Sequence, residues 1–254
     1  MYCGSVESLT DEHIAPKGLQ GEDILGDATC SKCQKFTTYI ESRTLLGFLR
    51  PIREHHGIVN KKRRTKRPPY YVYFDNGDGS SERVQVSKDD YPLHLVMPIL
   101  APPGILAGPQ RNAGFPNPID VKSYVDDQSI AIQRKLIDSD RLKRKLTTNF
   151  DFGNFTKLLA KIAYCYAYFF MNEAFEPLIL DLLHSAREDS SLGPYFVGST
   201  FAQIGVSYPD YRPNNLFWAQ VRSSKIGKIP YVITRIALFD HFQMPHYDVV
   251  VGRI

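Results

Sequence analysis

The chain has 254 residues, 43% apolar and 23% charged, proportions of a water-soluble globular protein rather than a fibrous or low-complexity one. Its length allows one large domain or two modest ones with a sizeable core. The net charge of +4 is unevenly placed: residues 1–42 set three lysines against seven acids, residues 43–67 set nine Lys and Arg against Glu54 alone, and the rest balances. The opening residues are polar, without an apolar leader. The longest apolar stretch, Leu158–Met171, contains Lys161 and is too short to span a bilayer. A soluble, cytoplasmic chain that avoids membranes is therefore expected.

In chain order, residues 1–42 read as a compact unit punctuated by Gly and Cys. A helix is predicted from Ser31, with Phe36, Ile40 and Leu45 or Leu46 on one face and Pro51 ending its first run. The run Lys61–Pro69 marks a boundary of charge followed by proline. Tyr70–Phe74 and Glu82–Val86, separated by Asp75–Ser81, read as a hairpin. Met97–Pro118 reads as irregular and Asp120–Val125 as a strand, while Ser129–Leu146 has mixed character. Residues 152–186 form the clearest helical region, where Phe155, Leu158, Leu159, Ile162, Tyr166, Phe169 and Phe170 recur at spacings of three and four. A second helix is predicted over Phe175–Glu188, with Pro177 near its start. The aromatic residues of 164–170 and Trp218 are expected in the core. Strands are predicted in the remaining C-terminal segments, so the fold class expected is α+β.

The chemistry-bearing residues gather near the start. "TDEH" places Glu12 beside His13. Histidine can take a proton from water near neutral pH, and a carboxylate can hold a hard divalent ion. In an extended segment the two side chains point to opposite faces. Cys30 and Cys33 form a Cys-x-x-Cys pair, and Cys3 stands like the second cysteine of another, whose partner would precede Met1. In a cytosolic chain such spacing points to metal rather than to a disulfide. The fourth cysteine, Cys165, reads as a buried helix residue.

Taken together, "YCG", "TDEHIAPKGLQG", "GDATCSKCQ" and Glu41 resemble the zinc-knuckle form of the HNH endonucleases, the ββα-metal finger of nucleases. The resemblance covers about a sixth of the chain, and order and spacing both match. It implies a ββα-metal unit over residues 1–60, a basic, proline-containing linker at 61–69, and a larger α+β domain with strands and a helix pair over 70–254. It implies structural zinc on Cys3, Cys30 and Cys33. It implies a catalytic magnesium or manganese ion on Glu12 and Gln34, His13 as the general base, and Asp27 orienting it. The activity implied is hydrolysis of DNA phosphodiester bonds.

Two residues depart from the family pattern, Gln34 replacing Asn or His and Asp27 replacing Asn. The absent first cysteine is a third departure. A nucleic-acid-binding or interaction protein that keeps the zinc knuckle without turnover is therefore the alternative expectation. In either case the basic segment would neutralise phosphates through Arg50, Arg53, Lys61, Lys62, Arg63, Arg64, Lys66 and Arg67. Residues 70–254 are expected to recognise a target, a protein partner or a signal.

Overall fold

A computed structural model describes residues 1–58, 69–107, 119–136, 145–147, 150–172, 174–185, 191–200 and 216–254. The chain divides into two compact units. The first gathers Met1–Leu46, Met97–Lys122 and Asp151–Ile254, and the second gathers Gly47–Val96 and Ser123–Phe150. The architecture is mixed α and β.

The first unit opens with strand β1 (Leu9–His13), antiparallel to β2 (Ile24–Cys30), followed at once by helix α1 (Ser31–Leu45). The turn after β1 needs a glycine at Gly21. A Cβ there would lie 2.2 Å from the Ala15 carbonyl oxygen. Ile40 and Leu45 on α1 are buried as the periodicity predicts, whereas Leu46 is exposed.

α1 packs against α5 (Phe152–Met171), which in turn packs on a sheet of β10 (Phe217–Ile226), β11 (Ile229–Leu238) and β12 (His246–Arg253). The far side of β12 is covered by β8 (Glu176–Pro177) and β9 (Val197–Thr200). α5 starts at Asp151, whose carboxylate accepts from the Asn154 backbone N–H at 3.1 Å, an N-cap that fixes the helix start. Phe155, Leu158, Leu159, Ile162 and Cys165 on α5 are fully buried. So are Lys157 and Lys161.

Two expectations here are corrected. The segment Phe175–Glu188 does not begin as a helix. Glu176 and Pro177 pair with Arg253 and Gly252, and only Leu180–His184 (α6) is helical among the described residues there. Gly252 makes this possible, since a Cβ on it would meet the Glu176 carbonyl oxygen at 2.2 Å. Proline is tolerated at such a sheet edge. Phe169 and Phe170, expected in the core, are 48% and 64% exposed because they lie on the last turn of α5.

In the second unit, β3 (Tyr70–Asp75) pairs with β4 (Ser81–Val86), the hairpin predicted from alternation, and with β7 (Lys145–Thr147) on its other edge. Tyr70, Val72 and Phe74 point to one buried face. Helices α2 (Arg50–His55) and α4 (Asp127–Leu136) belong to this unit. The mixed segment from Ser129 is therefore helical at its start. Strand β5 (His94–Ile99) reaches into the stretch expected to be irregular and pairs with β6 (Asp120–Val125); the short helix α3 (Gly104–Ala107), which follows β5 in the chain, belongs to the first unit. Among the described residues no helix is long and apolar enough to cross a membrane.

Candidate zinc knuckle and acid–histidine site

The three cysteines meet. Cys3 precedes β1 and is followed by Gly4 at φ +70°, a backbone conformation that favours glycine. Cys30 ends β2 and caps α1, and Cys33 lies in the first turn of α1. Their sulfurs lie within 4.8 Å of one another. Cys3 and Cys30 are 3.6 Å apart, close to the spacing of about 3.8 Å that two thiolates take on one tetrahedral zinc. Hydrogen bonding from the Cys33 backbone and from Cys3 lowers Cys30 to about 7. Burial, with Cys3 and Cys30 beside it, pushes Cys33 up to about 12. Without a cation, then, one thiolate forms readily and the last does not, and a bound zinc would supply the charge that holds all three deprotonated. The residues present fit a structural zinc ion.

Glu12 and His13 face different surroundings. A bulge between Thr10 and Glu12 resets the register before Glu12 pairs with Leu25 and His13 with Ile24. Glu12 is 5% exposed and turns into the interior. There its Oε1 lies 2.7 Å from the ammonium of Lys161, which also lies 3.0 Å from Glu41 Oε1. Lys161 Nζ further donates to the backbone oxygens of His13 and Ile14. Burial opposes the lysine charge, but Cys165, Glu41 and Glu12 outweigh it and hold the pKa above the ordinary value. Burial also raises the Glu12 carboxyl, against the pull of Lys161. One ammonium faces two carboxylates, so the lysine stays charged. The network continues to Tyr2, whose hydroxyl lies 3.1 Å from the buried Cys165 sulfur.

His13 is partly exposed at the end of β1. Its Nδ1 is buried without a hydrogen-bond partner among the described residues. Partial burial, then the positive charges of Lys17 and Lys161, lower its pKa, so the ring is neutral at pH 7. Asp27 takes a left-handed backbone conformation (φ 48°) and lines a cavity of about 410 Å³ with Tyr164, Tyr168 and Phe175. It makes no hydrogen bond to His13 among the described residues. Gln34 is exposed on the first turns of α1, and its carbonyl accepts from Thr37. A divalent ion on Glu12 does not fit this arrangement, because an ammonium already sits against that carboxylate.

Of the basic segment, Arg50 and Arg53 are described. Arg50 pairs with Glu54 at 2.9 Å and lies over the Tyr70 ring at 4.3 Å. Arg53 is 8% exposed. Lys61, Lys62, Arg63, Arg64, Lys66 and Arg67 lie outside the described residues. Lys161 was not legible as a site residue. The available signal was a lysine pair, Lys157 and Lys161, inside an apolar helix, since a charge buried there must find partners.

Comparison of the chain with family models, curated proteins and solved structures finds no match.

Proposed function

We propose that the chain is an HNH-type endonuclease whose ββα unit, braced by zinc on Cys3, Cys30 and Cys33, hydrolyses phosphodiester bonds of DNA with His13 as the general base. The observation that carries this reading is the convergence of three thiols at the junction of a β-hairpin and a helix, with a neutral histidine at the end of the first strand. A neutral, partly exposed imidazole can accept a proton from water. The basic residues of 61–67 would supply salt-sensitive, sequence-independent attraction to the nucleic acid.

A second reading is favoured by one observation. Glu12 is held by Lys161, which suits a nucleic-acid-binding or interaction module that keeps the knuckle without turnover. Plasmid cleavage with magnesium or manganese separates the two, comparing the wild type with His13→Ala prepared identically. Nicking lost in the variant supports the nuclease. Equal nicking in both removes His13 from the reaction. Salt-sensitive binding without nicking supports the second reading.

A further inference from the structure

We propose that Lys161 is the resident cation of the acid–histidine strand: its ammonium fills an oxygen cage built by Glu12, Glu41 and the carbonyls of His13 and Ile14, excludes a divalent ion from Glu12, and positions the strand end that carries His13. The inference deepens the reading of His13 as a base and rests on it for its functional meaning. The geometry is independent of that reading.

An ammonium has three protons to donate and no acceptor. The cage offers four oxygens: the two carboxylate oxygens at 2.7 and 3.0 Å, the His13 carbonyl, and the Ile14 carbonyl at 3.3 Å. All three protons are therefore satisfied in a site where Lys161 has no exposed surface. The two carboxylate oxygens, at 2.7 and 3.0 Å, lie at the spacing of hydrogen bonds to an ammonium. Magnesium requires about 2.0–2.1 Å and calcium about 2.3–2.6 Å, so a metal would enter only by displacing the lysine and contracting the cage. Two of the four contacts reach backbone carbonyls, one of them that of His13 itself. α5 thereby grips the strand through its main chain on one side while the imidazole stands on the other. Replacement of a buried ion pair by apolar groups often leaves stability unchanged, so stability alone does not define the role of Lys161. Location of the His13 backbone does.

The test uses the full-length, zinc-loaded chain and manganese alone as the probe, followed by calorimetry and electron paramagnetic resonance. Wild type and Glu12→Gln should give superimposable manganese titrations. Lys161→Ala should gain one manganese equivalent, which Lys161→Ala/Glu12→Gln should lack. Loss of a wild-type manganese site in Glu12→Gln would overturn the proposal, as would a folded Lys161→Ala chain that binds no added ion.

Should Lys161→Ala fail to fold, the variant Lys161→Met/Glu12→Gln/Glu41→Gln keeps the volume without the charges. In it the His13 ring resonances should move and amide exchange at residues 12–14 should accelerate at least tenfold, while the core of the β10–β12 sheet keeps its wild-type protection. Unchanged His13 resonances and exchange would overturn the positioning role. Failure of plasmid cleavage in the wild type would sink the nuclease reading and leave these outcomes standing.

Discussion

Glu12 and His13 show how much a strand's two-residue period decides. The alternation sends one side chain inward and leaves the other at the surface, and this much could be read from four letters of sequence. What Glu12 meets inside could not, because the lysine that neutralises it is 148 residues from His13 in the chain. Removing only the cation leaves the buried Glu12 carboxylate and the partly buried Glu41 carboxylate uncompensated. Lys161→Met should therefore cost about 3–5 kcal/mol, and the triple variant lacking all three charges should recover most of it in a urea melt.

At the knuckle, Cys33→Ser removes one of three thiolates. The purified wild type should carry one zinc per chain by elemental analysis, and the variant should retain less than a tenth of that. His13 supplies a pH test. Its pKa lies below the ordinary 6.5 through partial burial, then Lys17 and Lys161. A base must be neutral to act, so the acid limb of the cleavage profile should fall below pH 6.5. A limb centred above 6.5 would contradict this. The stability linkage has the same sign: the unfolded state takes up the proton first, so the contribution is complete above pH 6.5 and is lost as pH falls through the folded pKa.

Among the elements, those with strong periodicity were legible. β3 and β4 alternate and are joined by a turn rich in Gly and Asp, and α5 repeats its apolar positions every three or four residues. The segment after α5 was not legible, because "FEPLILDLLH" has helical composition throughout. Its first residues are taken by β12, and pairing with a distant strand overrides local propensity. Arg50 and Arg53 read as part of a charge run, but the helix that carries them sets one against Glu54 and Tyr70 and buries the other. The tightest turn of the ββα unit gives an element-scale prediction. Gly21→Ala forces a methyl group into the Ala15 backbone and should lower stability by about 1–3 kcal/mol or more. A melting temperature equal to the wild type's would show that this turn relaxes freely.

On the scale of the molecule, the ββα unit is not a free-standing finger. Its helix packs on α5, and Glu12 and Glu41 both depend on a lysine from that helix. A fragment of residues 1–46 should therefore bind zinc yet give a poorly dispersed amide spectrum, and a well-dispersed spectrum would show that the unit stands alone.

The placement of β12 sets the order of events during synthesis. Nearly every residue of this strand is buried, and it runs between β11 on one side and β8 and β9 on the other. The ribosome delivers it after every other described element. Until it emerges, β11 has an open edge and the sheet beneath α5 lacks its middle. The nascent ββα residues thus wait, with thiols exposed, for a segment made more than two hundred residues later. Early capture of zinc would shield those thiols during translation, making metal supply a determinant of how much chain matures rather than only of how the finished protein behaves.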